Sequence, residues 1–401
     1  MLKIIKIILI VPLVILLSLK DIWANEKIKI GLLVPLTGKD SEIGQSIVKS
    51  ARLAINKINN STIEIIPKDT KSDPIKTLQS AKELSELGVK IVIGPVYNAN
   101  LVYLNELKNI TFLSLTNKNK NFSKNIINAG INATSQLRAI NKFIEENEIK
   151  KTIFLTPDGD YKEEIKDAIS YSKIKLLKNY YYNTDPTKLT SQIENITNYK
   201  RRKQNLEDEI KRLEKLDEDK NKRLIEKLKK KDTLGRVKFD SIIIADFDES
   251  LKSVTTSLLY TDISPKDKYF ITLNQWFDES LLKEISSQPM YFPSINKENY
   301  EKFSTVYFKT FKEYPNQLSF LSYDLVGLVY FLILQNNLIM DEKIFSKKTQ
   351  FKGKMGIFEI KNNKIYHILN FYKIDDMKFK KIFWFFWMLV IDDQFYILLK
   401  D

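Results

Sequence analysis

Any chemistry in this chain would have to come from carboxylates, hydroxyls and amides. Its 401 residues hold no Cys and one His. That removes thiol nucleophiles, disulfides, Cys/His zinc sites, iron–sulfur clusters, multi-histidine metal centres and a lipid-bearing N-terminal cysteine in one step. No cofactor is expected. A Ser-His-Asp triad could draw only on His367, which lies in the alternating stretch NKIYHILNFY and reads as a structural histidine on a strand of a terminal hairpin. No G-x-S-x-G, phosphate-loop or H-E-x-x-H pattern occurs. Asp158 and Asp246 could exchange protons as an acid/base pair, but carboxylates at strand ends are ordinary in an open parallel sheet, and no second feature supports an enzyme.

The elements that would carry these residues alternate. KIKIGLLVPL is a β-rich run ending in Pro-Leu-Thr-Gly, and residues 41–59 follow with apolar positions at Ile43, Ile47, Ala51, Ala54, Ile55 and Ile58, a helical spacing. The order repeats through STIEIIPKDT, a helix over 74–87, KIVIGPV, a helix over 100–108 and ITFLSLT. A second series runs from a helix at 136–147 through KTIFLTPDGD, a helix at 161–172, KIKLLKNYYYN, FDSIIIADFD, a helix at 249–260 and KYFITLNQW. Such βαβα order demands parallel sheets covered on both faces. The fold class expected is α/β, two doubly wound parallel-sheet lobes with a helical hairpin insertion. The lobes are expected at 27–131 plus 317–340 and at 132–316 plus 341–375. Ligands of such sheets bind at the carboxyl ends of the strands, here Leu36-Thr37-Gly38, Asp69-Thr70, Gly94 to Asn98 and Leu115-Thr116-Asn117, facing a cleft between the lobes.

The formal charge of +14 would by itself suggest nucleic acid. Its distribution does not: Lys200 to Lys231 carry fourteen Lys/Arg against eight Asp/Glu with no aromatic platform, and elsewhere acidic residues are interleaved. Within 198–234, Leu206, Ile210, Leu213 and Leu216 recur at helical spacing, residues 217–221 break the pattern, and Leu224, Ile225 and Leu228 resume it. Two antiparallel helices follow, because one continuous helix would put charges into the apolar seam. The hairpin is either a partner-docking arm or a solvated excursion laced with Glu/Lys pairs.

Both ends carry address-like segments. Residues 1–24 combine two lysines, the eleven-residue apolar run Ile7 to Leu17 and a small Ala24, which reads as a cleaved export signal, since a permanent span needs about 20 apolar residues. The periplasm of a bacterium is the expected location, with an uncleaved signal as the other reading. The tail over 376–401, with KFKKIFWFFWMLVIDDQFYILLKD, is too short to span a bilayer; it could lie in an interface, or be a final strand or an appended segment without function.

KIKIGLLVPLTGKDSEIGQSIVKSARLAINKIN resembles the opening of the type I periplasmic solute-binding proteins, the group of the leucine/isoleucine/valine-binding proteins, and IGPVYN resembles their second cleft loop. LSLTNKNKNFSKNIINAGINATSQ, the TPDGDY turn, and YYYNTDPTKLTSQIENITNYKRRKQNLEDEIKRLEKL followed by LGRVKFDSIIIADFDESLKSV are similar to a branch known as penicillin-binding-protein activators. ITLNQWFDESLL, MYFP, FKEYPNQLSFLSYDLVGL and FKGKMGIFEIKNNKI continue the similarity in order. The resemblance implies a non-catalytic, two-lobed periplasmic protein. By position it implies cleft residues Thr37, Asn98, Thr116 and Asn117 on the first lobe and Asp158, Tyr161, Asp246 and Trp276 on the second. A zwitterion needs hydroxyl and amide donors for its carboxylate and one acidic partner for its ammonium. Transporter relatives carry a small hydroxyl residue near Tyr97 to Ala99, where this chain has Asn98. Two partners follow from the two branches: a peptidoglycan synthase, which a regulator would dock on, or the permease of an ABC transporter, which a receptor for branched-chain or other amino acids would serve. Nucleic acid is not expected, and peripheral membrane contact is assigned to the signal segment or the tail.

Overall fold

The computed structural model describes residues 27–383 apart from 61, 119–122, 160 and 275. The expected export signal lies outside the described residues, as does the tail beyond Phe383.

The first sheet is fully parallel. It is built from β1 (Ile28–Val34), β2 (Ile63–Asp69), β3 (Ile91–Ile93), β4 (Thr111–Ser114) and β5 (Ile126–Asn128) in the order β2-β1-β3-β4-β5. β1 is apolar on both faces because helices cover both, α1 (Ser41–Ile58) among them; α2 (Pro74–Glu86) follows β2 with Asp73 capping its first turn and Pro74 pre-set for helix. The helix expected at 100–108 is instead two short 3₁₀ turns, Asn98–Leu101 and Leu104–Glu106. Three asparagines at 98, 100 and 105 favour turns over a regular helix. β5 had no counterpart in the sequence reading.

The second lobe runs α3 (Ala133–Glu146), β6 (Thr152–Pro157), α4 (Lys162–Ser172), β7 (Lys178–Tyr182), α5 (Pro186–Thr197), α6 (Tyr199–Lys229), β8 (Ser241–Ile244), α7 (Asp248–Tyr260), β9 (Tyr269–Thr272) and β10 (Met290–Ser294). Its sheet has seven strands, completed by β14 (Asn370–Asp375) and β15 (Lys378–Phe383), in the order β15-β14-β10-β9-β8-β6-β7; the last two strands are antiparallel additions to a parallel core. Residues 378–383, at the start of the expected tail, thus form the outer strand of this sheet.

The chain passes between lobes three times. After β5 it enters α3 through residues 129–132. After β10 it runs through α8 (Lys297–Phe311) into α9 (Gln317–Gln335), which packs on α1. α8 also leans on α1, with the Tyr307 hydroxyl 3.1 Å from the Ser46 hydroxyl, and in the loop after α8 Glu313 pairs with Lys49 at 2.7 Å. Among the described residues α9 is the helix long and apolar enough to cross a membrane, but it is mostly buried in the protein, which is why its sequence is apolar all round. The third crossing contains an antiparallel sheet of β11 (Thr349–Lys352), β12 (Ile357–Lys361) and β13 (Lys364–Ile368). Asn362 and Asn363 turn β12 into β13 with positive φ at both positions, the geometry a two-residue hairpin favours.

α6 is helical along its 31 residues, yet it doubles back. Lys229 pairs with Glu214 at 3.1 Å and the Asn221 side chain reaches the Leu213 carbonyl; a straight helix would hold residues 214 and 229 about 22 Å apart. Leu206, Leu213, Ile225 and Leu228 form its thin core, and the Leu234 amide closes the base on the Arg202 carbonyl.

Candidate functional site

Asp69, at the carboxyl end of β2, organises the strand-end loops of the first lobe. Its carboxylate accepts from the amides of Leu36 (2.8 Å), Thr37 (3.3 Å) and Lys71 (2.9 Å) and from the Thr37 hydroxyl at 2.5 Å. Burial pushes this carboxyl up, and the donors from Thr37 and the three amides outweigh it, holding it below the usual range. Thr37 is exposed, but its hydroxyl is committed to the protein's own carboxylate. On the neighbouring loop, Gly94 at φ +112 brings β3 so close to β1 that a Cβ there would sit 2.2 Å from the Leu33 carbonyl oxygen. Asn98 and Asn100 follow, each with a buried side-chain oxygen that has no hydrogen-bond partner. Thr116 is buried, and its hydroxyl accepts the Lys118 amide at 3.2 Å. Asn117 is exposed.

On the second lobe, Tyr161 is half-buried and hydrogen-bonded to the Asn117 side chain; burial and the nearby Glu164 raise its phenol, and Asn117 counters them. The Lys118 ammonium stands 5.8 Å from the centre of the Tyr161 ring. Asp158 turns outward to Lys162 at 2.9 Å. Asp246 follows β8, with its carboxylate 2.6 Å from the hydroxyl of the fully buried Tyr182 and its other oxygen accepting the Phe247 amide. Burial raises the Asp246 carboxyl despite those donors. Trp276 sits in left-handed backbone at φ 49, its amide held by Asn274 and its carbonyl accepting the Gln317 side chain at 3.1 Å. Gln317 opens α9, so this contact too links the lobes.

The structure therefore brings Asn117 to Tyr161 and Trp276 to the first-lobe helix α9. It commits Thr37 to Asp69, Asp158 to Lys162 and Asp246 to Tyr182, and it leaves the Asn98 oxygen with no partner. Sequence reasoning missed three contributors. Asp69 stood among the strand ends and could have been found there; Tyr182, hidden in a tyrosine run, and Gln317, at a helix start, gave no signal. Among the described residues no group of three His, Asp or Glu could hold a metal. His367 is buried, with its Nε2 2.8 Å from the Ala129 carbonyl.

Two sheets of this order, joined by three crossings, define the fold of the type I periplasmic binding proteins. Residues 27–200 match the family model described as periplasmic binding protein. A search of curated proteins finds no match. Among solved structures, the chain is similar to the branched-chain amino acid transporter substrate-binding protein LivJ from Streptococcus pneumoniae, in complex with isoleucine (18% identity, TM-score 0.52, covering 89% of this chain and 99% of that one). It is similar to the LpoA C-domain from Haemophilus influenzae, a regulator of PBP1A (15%, 0.59, 88% and 100%). It is also similar to the leucine-binding protein LivK from Thermotoga maritima (14%, 0.53, 89% and 98%).

Proposed function

We propose that this protein is a non-catalytic periplasmic scaffold that regulates a peptidoglycan synthase of the penicillin-binding class. The observation that carries this reading is a cleft bridged by the protein's own groups: Asn117 to Tyr161 and Gln317 to the Trp276 carbonyl. An amino-acid receptor needs free donors and a free carboxylate at the same place; here the Thr37 hydroxyl serves Asp69 and the Asp246 carboxylate serves Tyr182. The likeness to LpoA supports the same reading. Adding the purified protein to a reconstituted bifunctional synthase should raise its glycan-polymerising or crosslinking rate, and envelope crosslinking should recover the synthase with it. No rate change together with no recovered cell-wall enzyme overturns the reading.

A second reading, the amino-acid receptor of an ABC transporter, is favoured by one observation, the partnerless Asn98 oxygen at the end of β3, and by the likeness to LivJ. A receptor at 100 times its dissociation constant gains about 2.7 kcal/mol of stability, so a thermal-shift panel of amino acids at millimolar concentration separates the two.

A further inference from the structure

The two limbs of hairpin α6 differ in how their charges are used. On the outgoing limb Glu209 grips Arg212 at 2.7 and 2.8 Å, Gln204 holds Asp208, and Arg202 is buried at the base. The returning limb and its exit carry nine Lys/Arg between 220 and 238 against Glu226 and Asp232 within the same stretch, and Lys229 among them is paired across the hairpin with Glu214. Ile225 and Leu228 turn inward to the hairpin core, so the face opposite them presents Arg223, Lys227 and Lys230, three residues at helical spacing and all exposed. Leu224, 46% exposed, lies on the flank of this face, between Lys227 and the hairpin core, and Leu216, 66% exposed, lies on the outgoing limb directly before the acidic run Asp217, Glu218 and Asp219. No aromatic ring accompanies them on this limb, which argues against single-stranded nucleic acid. A cationic stripe flanked by an exposed leucine fits a surface that is negatively charged outside and apolar just beneath.

We propose that the returning limb of the hairpin docks on an anionic phospholipid bilayer, with Arg223, Lys227 and Lys230 meeting the headgroups and Leu224 entering the interface at their flank. Juxtaposed cations gain affinity from the negative surface potential and lose it within a Debye length, so binding is salt-dependent. This is separate from the cleft and from any synthase, and it holds or fails independently of them.

The test is flotation of the full chain with vesicles of phosphatidylcholine alone or with 30% phosphatidylglycerol, at low and at high salt. The protein should float with the anionic vesicles in preference to the neutral ones and be released by salt. The triple variant Arg223→Gln, Lys227→Gln, Lys230→Gln should lose about two orders of magnitude of that preference, with an unchanged circular dichroism spectrum, and Leu224→Ser should weaken binding further without changing its salt dependence. Equal flotation with neutral vesicles, an anionic preference untouched by the triple variant, or tighter binding to duplex DNA than to the vesicles overturns the proposal.

Discussion

His367 and Asp324 are both buried against the segments that cross between lobes, and their titrations oppose each other. Burial pushes the His367 imidazole down to about 4, although its bonds to the Ala129 and Gly130 backbone favour the charged form. Burial pushes the Asp324 carboxyl up to about 7, against the Lys354 and Met355 amides it accepts at 2.9 and 2.6 Å. Between pH 4 and 6.5 the unfolded chain holds a proton on His367 that the folded chain lacks, so this residue makes stability rise with pH. Between pH 3.8 and about 7 the folded chain holds a proton on Asp324 that the unfolded chain has lost, so this residue makes stability fall as pH rises. The two nearly cancel over the shared window. His367→Gln removes one side of the balance and can still donate to Ala129. Relative to the parent, its unfolding free energy should fall by about 1.4 kcal/mol per pH unit from pH 4 to 6.5, read by urea titration at four pH values; parallel curves would exclude the opposition. Gly353 belongs to the same contact, since a Cβ there would stand 2.3 Å from an Asp324 oxygen. Gly353→Ala should cost about 2 kcal/mol or more, measured in the same titration.

At the scale of elements, Arg202 decides whether the hairpin is part of the body. Its guanidinium donates to the Thr197 carbonyl at 3.0 Å, to the Thr233 hydroxyl at 2.8 Å and to the Thr261 carbonyl, and Asp262 lies 3.9 Å away. These groups tie both limbs of α6 to the loop after α7. The core of the hairpin itself is four side chains, too little to hold it without the anchor. Arg202→Met should leave those acceptors unsatisfied at a cost of about 3 kcal/mol. Trypsin should then cut within 200–231 at least tenfold faster than in the parent, with the rest of the chain still intact. Equal cutting rates would mean that the base is held elsewhere. The hairpin was legible in the sequence because Leu206, Ile210, Leu213 and the later Leu224, Ile225 and Leu228 carry their period on either side of a charged break. So were the parallel strands, whose apolar runs alternate with amphipathic helices. The small sheet β11–β13 was legible only in part. Its turn residues Asn362 and Asn363 mark a hairpin, but the sheet is fixed by Asp324, 30 residues before the Lys354 amide it accepts, and by His367 meeting Ala129, contacts that no local pattern encodes. The 3₁₀ turns after β3 were hidden for a related reason: leucines at 101, 104 and 107 satisfy a helical period that the backbone does not adopt.

For the whole molecule, the question is what holds the lobes at their present angle. The residue types at the strand ends show what they could offer a ligand; which partners they have inside the protein depends on tertiary contacts that no single segment encodes. Two of those contacts span the lobes, Asn117 with Tyr161 and Gln317 with the Trp276 carbonyl. At about 1 kcal/mol each, together they bias a hinge equilibrium by roughly 30-fold. Because the chain has no native cysteine, spin labels are placed cleanly through Lys57→Cys on α1 and Asp167→Cys on α4, both exposed. The labelled protein should give one narrow distance distribution that amino acids leave unchanged, and Tyr161→Phe with Gln317→Ala should broaden it toward longer distances. A broad distribution in the parent would mean that the bridges do not govern closure. A distribution that narrows on adding an amino acid would instead favour hinge closure on a solute, with the Asn98 oxygen the first place to look for its contact.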